Sequence, residues 1–272
     1  MKILISGHQG FIGTHLVKVL KENHELFGAD KKVGMNITSD GFLLAASKIK
    51  PQVIVHLAAE CSTAKSISDP FTDFKNNAIG TFMVCEMARI TGAKILYTST
   101  CKVIQNFEGL RTPYGLSKYV GELYLKEYNG IYGVEYVINR PGTIYGIGQN
   151  ASPESGWLSW FIKAKKDNRP ITIFGDGNQI RDVLWVEDYV KLLVDQIEHW
   201  EKYAGMTFDV GGGEKNAVSL LQILSFLKYK NYKFAPRRQG DIDSFISDNN
   251  LVQGINGWKP SINWEEGIKR LL

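Results

Sequence analysis

Tyr114 and Lys118 stand four residues apart in TPYGLSKYVGE, a spacing that puts both on one face of a helix. A free phenol titrates near ~10 and is a poor base at neutral pH. A neighbouring ammonium favours the phenolate, and the positive end of a helix adds to the effect. Bringing the phenol to about 7 takes roughly three units, or about 4 kcal/mol. The result is an acid/base able to take a proton from a hydroxyl group. The spacing alone is weak: with 12 tyrosines and 24 lysines in 272 residues, chance supplies about one such pair. A second, Tyr229 and Lys233, does exist and reads as surface.

What gives the first pair weight is the loop at the chain's start. Gly7, Gly10 and Gly13 lie in ISGHQGFIG, directly after the apolar run Ile3-Leu4-Ile5. Gly7 permits a tight turn, Gly10 lets backbone approach a pyrophosphate at a helix N-terminus, and Gly13 lets that helix pack close to the strand. The spacing is G-x-x-G-x-x-G rather than the commoner G-x-G-x-x-G. Asp30 follows 23 residues after Gly7, at the end of the next β-rich run. A carboxylate there accepts ribose hydroxyls and repels a 2′-phosphate, so NAD is expected over NADP. Lys31 and Lys32 act against that exclusion. The nicotinamide cation of such a cofactor would share with Lys118 the task of lowering Tyr114.

These residues need a scaffold, and the first half of the chain alternates. β-rich runs at 2–6, 25–30, 52–57, 94–99 and 134–139 are separated by helix-like stretches at 11–22, 39–49, 71–91 and 114–128. The run PQVIVHLAA is apolar at nearly consecutive positions, which suits a strand covered on both faces. The pattern predicts an α/β fold with a doubly wound parallel sheet. After Arg140 the rhythm loosens. RPGTIYGIGQNASPESG reads as a loop region, followed by a helix in SGWLSWFIKAKK, a strand in ITIF, a turn in GDGN, a helix in VEDYVKLLVDQIEHW, a strand in MTFDV and a final helix at 264–272. The expected division is 1–150 as a Rossmann-type cofactor domain, with some later segments returning to it. Residues 151–272 form a smaller mixed α/β substrate domain around one cleft.

Composition narrows the function. The balance of 32 basic against 28 acidic residues is scattered, with no basic face for nucleic acid. No apolar run approaches the ~18 residues of a membrane span. Three cysteines without a C-x-x-C pair, and no secretory leader, read as a cytoplasmic protein with reduced thiols. The five histidines have no metal-ligand spacing, so no metal is expected, and no G-x-S-x-G elbow supports a serine hydrolase.

Taken together, GHQGFIG, HLAAE, NNAIGT, YTST, PYGLSKYVGE, NRPGTIYG, ITIFGDGNQIRDVLWVED and RRQGD resemble the extended short-chain dehydrogenase/reductases, in their nucleotide-sugar epimerase/dehydratase branch. The order and spacing of these motifs run through nearly the whole chain. The resemblance implies that Gly7, Gly10, Phe11 and Ile12 hold the pyrophosphate and Asp30 the ribose. Asn36 and Ile37 would lie by the adenine, and Leu57, Ala58, Ala59 and Ser99 along the cofactor. Lys118 would bind the nicotinamide ribose and tune Tyr114, and Thr100 would hold the reacting sugar hydroxyl. Thr143 and Trp157 would face substrate, and Arg181 and Arg238 would clamp a nucleotide diphosphate. The substrate half looks most like CDP-tyvelose (CDP-paratose 2-) epimerases.

The departures matter too. The family's 4,6-dehydratases follow their threonine with Asp-Glu, the acid pair that eliminates water; here Cys101 and Lys102 follow Thr100. The stretch leading to Tyr114 looks about ten residues short of the family norm, and Asp30 to Asn36 is a short connection. The resemblance therefore implies an NAD-dependent nucleotide-sugar epimerase, working as a homodimer through the helices at 71–91 and 114–128. A keto-sugar reductase using NAD(P)H and a catalytically silent dinucleotide-binding protein are the alternatives.

Overall fold

Why the early strands are apolar at consecutive positions is visible in where their side chains go. Ile3 and Ile5 enter one hydrophobic core while Leu4 between them enters another; Val53 and Val55 likewise oppose Ile54, and Leu96 opposes Ile95 and Tyr97. Alternation with period two is retained, but both faces meet helices, so both are apolar.

The computed structural model describes residues 1–107, 112–238 and 240–272. In the first half, β1 (Lys2–Ser6), α1 (Phe11–Leu20), β2 (Glu25–Ala29), α2 (Asp40–Ile49), β3 (Val53–His56), α3 (Thr63–Ser68), α4 (Pro70–Phe74), α5 (Gly80–Thr91), β4 (Lys94–Thr98), α6 (Lys102–Phe107), α7 (Pro113–Tyr132) and β5 (Tyr136–Pro141) follow one another. The second half holds β6 (Thr143–Tyr145), α8 (Trp157–Lys166), β7 (Ile171–Phe174), β8 (Ile180–Trp185), α9 (Val186–Glu198), β9 (Thr207–Val210), β10 (Ala217–Ser219), α10 (Leu220–Phe226), β11 (Tyr232–Ala235), β12 (Ser244–Phe245), α11 (Asn250–Asn256) and α12 (Trp264–Leu271).

Six strands form a wholly parallel sheet in the order β2-β1-β3-β4-β5-β9. The chain moves outward from β1 to β2 and then crosses to β3 on the other side of β1. That reversal opens a crevice at the carboxyl ends of β1 and β3, the place where doubly wound sheets bind ligands. This is a Rossmann-type α/β fold. Helices α1 and α9 cover one face through Leu16, Leu20, Tyr189, Leu192 and Leu193; α2, α5 and α7 cover the other through Phe42, Val84, Met87 and Leu125. Among the described residues, no helix is long and apolar enough to cross a membrane.

A smaller module lies beyond the sheet. Strand β8 pairs antiparallel with β10 and parallel with β12 and β6, and β7 pairs with β11. Its core gathers Leu158, Phe161 and Ile162 from α8 with Trp185, Val218 and Ile223. Beyond short elements that the sequence reading left unassigned, such as α3 and α6, two regions differ from the sequence expectation. The stretch after Arg140, expected as a loop, contains β6, a three-residue strand held by its register on β8 from Thr143–Val183 to Tyr145–Trp185. The continuous helix expected at 71–91 is instead α4, a π-helical segment at Lys75–Ile79, and α5. The shortened stretch before Tyr114 includes residues 108–111, which lie outside the described residues.

One carboxylate takes three hydrogen bonds from the chain's tail. Buried Asp188, in the first turn of α9, accepts from the Ser261 amide (2.8 Å), the Ser261 hydroxyl (2.5 Å) and the Ile262 amide (3.0 Å). Hydrogen bonds to a charged acceptor contribute more than neutral ones, and losing the carboxylate strands buried donors. Asp188→Ala is expected to lower stability by about 3 kcal/mol, seen as a lower urea midpoint with an unchanged slope.

Candidate active site

At the crevice, backbone approaches backbone. Gly7 closes β1 with φ +77° and donates to the Ala29 carbonyl at 2.7 Å; a Cβ placed on it would come within 2.8 Å of the Ala58 amide nitrogen. Only glycine satisfies both the left-handed backbone and the contact. The loop is tightened by Gly10 N–H donating to Gly7 O at 2.9 Å. Gly10 then caps α1 without any side-chain hydrogen bond. The first-turn amides, Phe11 and Ile12 among them, are not consumed by a capping side chain, which is the arrangement a pyrophosphate needs. The side chains of Phe11 and Ile12 pack on the core beneath, so any role at the loop belongs to their backbone.

Asp30 follows β2 beside this loop. One carboxylate oxygen accepts from the Lys32 amide (2.9 Å), the other from the Gln9 amide (3.1 Å), which aligns it with the glycine turn. The two lysines beside it are engaged with the protein: Lys31 donates to Asn76 (2.6 Å) and Lys32 to the Gln9 carbonyl (3.1 Å). Asn36 spends its side-chain oxygen on Thr38, and Ile37 is buried against Gly80. Leu57, Ala58 and Ala59 leave β3 at the mouth of the crevice, with the Leu57 amide donating to Ser6 O. The residues present fit a dinucleotide at this loop.

Beneath it runs a polar network that the sequence reading did not assemble. Ser6 Oγ lies 2.6 Å from His56 Nδ1, and His56 Nε2 lies 3.1 Å from Thr81 Oγ1. His56 stacks on Tyr97 at 5.3 Å, and the Lys118 ammonium sits 4.2 Å above the Tyr97 ring. Burial, helped by Lys118, pushes His56 well below the usual histidine range, so the ring is neutral. In the π-helical segment, Asn77 accepts from the Glu60 amide (2.9 Å) and donates to Glu60 O, Asp73 and Ser117. That ties the loop after β3 to α7, one residue before Lys118. No local sequence signal announces it: the Asn in NNAIGT meets Glu60 only in the fold, at a widened helical turn of the kind often found at functional sites.

Helix α7 begins with Thr112, whose hydroxyl accepts from the Gly115 amide at 3.1 Å, and Pro113 at the first helical position. Tyr114 and Lys118 follow on one face, both buried, beside Thr100 at the end of β4. One turn further, fully buried Glu122 binds Arg140 of β5 through both oxygens (2.6 and 2.9 Å) and accepts from Ser99 at 2.6 Å. The Ser99 hydroxyl thus braces the Thr100 strand end against α7. Burial brings Lys118 down to about 7, with Glu122, Cys61 and Asp73 resisting. Burial also pushes Tyr114 above its ordinary value, against a hydrogen bond from Thr100 that favours the phenolate. The expectation that Lys118 draws the phenol down is therefore outweighed here by desolvation. The phenolate requires further positive charge brought to its face.

The residues expected to face substrate lie in the smaller module. Thr143 is on β6, on the edge facing β8. Trp157 opens α8 and packs edge-on to Phe161 at 5.5 Å, at the margin of the module's core. Arg181 of β8 forms an ion pair with Asp241 at 2.6 Å and also donates to the carbonyls of Ile242 (2.8 Å) and Ile180 (2.7 Å). Arg238 lies 3.8 Å above the Phe174 ring and donates to Pro153 O at 3.2 Å. Asp241 acts on both arginines, so they share one electrostatic neighbourhood. No cluster of three metal-ligating side chains occurs among the described residues.

The NAD dependent epimerase/dehydratase family matches residues 3–211. The UDP-glucose 4-epimerase of Mycolicibacterium smegmatis is 30% identical, over 100% of this chain and 97% of its own. The CDP-paratose 2-epimerase of Salmonella typhi is 27% identical, over 100% and 98%. The crystal structure of a Thermus thermophilus UDP-glucose 4-epimerase in complex with NAD superposes with a TM-score of 0.86 at 26% identity, covering 100% of this chain and 97% of that one.

The buried lysine has a thermodynamic signature. It binds its proton near ~10 in an unfolded chain and near 7 in the fold. Its cost to folding therefore builds as pH falls from about 10 to about 7 and is complete below that. Lys118→Met is expected to raise Tm by roughly 5 °C at pH ~6, with the gain shrinking toward pH ~10 in scanning calorimetry. A gain independent of pH would assign it to packing instead.

Proposed function

The chain belongs to the NAD-dependent epimerase/dehydratase family, and from that premise we propose that it is a nucleotide-sugar epimerase. The observation that carries this reading is the convergence of Thr100, Tyr114 and Lys118 at the crevice, with Cys101 and Lys102 where the dehydratases carry their acid pair. A carbon–oxygen elimination has no carboxylic acid to drive it at those positions. The resemblance to CDP-paratose 2-epimerases supports the same reaction class.

Gly7, Gly10 and the first-turn amides of α1 would hold the NAD pyrophosphate, Asp30 its ribose, and Lys118 the nicotinamide ribose. When bound, NAD supplies reversible oxidation of a sugar carbinol to a keto-sugar. Tyr114 takes the proton from the sugar hydroxyl and later returns it, which general acid–base catalysis makes worth about 10²–10⁴ in rate. Thr100 orients the same hydroxyl. Arg181 and Arg238 hold the diphosphate, so the sugar can present its other face without leaving the cleft. In this reading residues 1–150 mainly serve the cofactor and 151–272 the substrate, and the protein works in the cytoplasm, where its three free cysteines stay reduced.

The assembly belongs to the same proposal. Ile79 and Ile90, with Leu116, Leu123 and Ile131 of α7, are large apolar side chains left exposed along neighbouring helices. Burying them between two copies gives a homodimer.

Two experiments test this reading. Native mass spectrometry of the purified protein should find NAD retained near one per chain. Nucleotide sugars incubated with it should yield epimers by NMR, with Tyr114→Phe lowering turnover at least about 100-fold while NAD stays bound. Full turnover by that variant, or net consumption of NADH into a reduced sugar, would replace the epimerase with another activity. For the assembly, Leu123→Glu should shift sedimentation from dimer to monomer; a wild-type monomer would remove that part.

A further inference from the structure

Between β6 and α8 the chain lays a short strap, residues 149–156. One side chain holds both of its roots: Gln149 donates to the Ile144 carbonyl at 3.1 Å and accepts from the Ser159 hydroxyl at 2.5 Å. The tip is a preformed turn in which Ser152 and Ser155 exchange both backbone hydrogen bonds, at 2.9 and 3.1 Å. Gly156, with φ +69°, lets the chain turn from that tip into α8.

The tip touches both sides of the site. On one side the Ser155 hydroxyl lies 4.0 Å from the Cys61 thiol, and the Ser62 hydroxyl donates to Glu154 O at 3.4 Å. Cys61 is close enough to Tyr114 and Lys118 to act electrostatically on both. On the other side Arg238 donates to Pro153 O at 3.2 Å, and the Glu154 carboxylate acts on its charge. The strap therefore runs from beside the acid/base pair to an arginine expected at the diphosphate. A sugar diphosphate held by those same groups would lie along the line that the tip takes.

These outer contacts are weak in kind. Arg238 spends a charged donor on a neutral carbonyl, whereas a phosphate offers it paired, charge-assisted hydrogen bonds of roughly twice the strength. The links that shape the strap, at Gln149 and between Ser152 and Ser155, involve neither Arg238 nor Cys61 nor Ser62. The tip can leave its outer contacts and keep its own form.

Resting on the nucleotide-sugar reading above, we propose that residues 151–155 are a gate over the cleft. Pro153 and Glu154 hold Arg238 until an incoming diphosphate takes it, and the tip then releases Cys61 and Ser62 to admit the sugar. Two neutral hydrogen bonds favour the closed form by about tenfold. The open fraction then scales the association rate and the apparent affinity.

Ser155→Cys tests the gate in the whole, NAD-loaded chain, because a disulfide to Cys61 would lock the tip shut. Once oxidised, the variant should bind UDP-glucose or CDP-glucose at least about tenfold more slowly than its reduced form in surface plasmon resonance. Dithiothreitol should restore the rate, and Ser155→Cys combined with Cys61→Ser, which cannot form the link, should be indifferent to oxidant. Equal rates for the locked and reduced forms overturn the gate and leave the nucleotide-sugar reading standing. Failure of the link to form, read by peptide mass spectrometry, removes the contact and the gate with it. If neither wild type nor the reduced variant binds either ligand, the nucleotide-sugar reading falls and takes the gate with it.

Discussion

A lysine held out of water is the constraint around which the rest of this molecule is arranged. Lys118 is buried, and the fold surrounds its ammonium with what a desolvated cation needs: the face of Tyr97, the carboxylate of Glu122 one turn away, and Asp73 across the π-helical segment. None of these is an ion pair within bonding distance, so the charge is tolerated rather than neutralised. Each partner is itself fastened. Glu122 is locked by Arg140 and Ser99, Tyr97 by stacking on His56, and Asp73 by Asn77. The sheet's carboxyl edge, α5 and α7 meet through this one set of groups, and the position of Tyr114 relative to Thr100 follows from it.

The glycine turn at β1 is complementary to that arrangement. It contributes no side-chain chemistry; its contribution is closeness. Gly7 lets the end of β1 touch the chain leaving β3, and Ser6 beneath it reaches His56 at the root of the same network. The place where a cofactor would rest and the place where a proton would move are thereby joined by a short run of buried hydrogen bonds. Buried networks of this kind are stabilising only when nearly all members are satisfied.

Much of this is legible in the residues. The β-rich runs are readable because two-sided burial makes them continuously apolar, and the glycine turn, Asp30, Tyr114 and Lys118 because each chemistry needs a particular residue type at a short, local spacing. What stays hidden depends on distant partners. Nothing near Asn77 announces that its amide will bind Glu60, so a single long helix is the natural expectation where the structure has a π-helical interruption. Strand β6 has only three residues and exists because β8 lies beside it. Ser99 reads as a cofactor contact, yet its hydroxyl goes to Glu122, a partner visible only after folding. The Tyr114 shift runs against expectation for the same reason: the helix spacing shows the lysine, but burial depth is a property of the whole fold.

The placement of α9 and β9 has a consequence for how the chain can be made. Helix α1, near the start of the chain, packs on α9, and the last strand of the parallel sheet is β9. A ribosome that has released only the first half of the chain has therefore produced a sheet with an unpaired β5 edge and one face covered by α1 alone. The nascent chain must wait for α9 and β9, and then for Ser261 to reach Asp188, before its oldest residues are covered. The two halves of the chain are thus not separable pieces: each is finished by residues synthesised with the other.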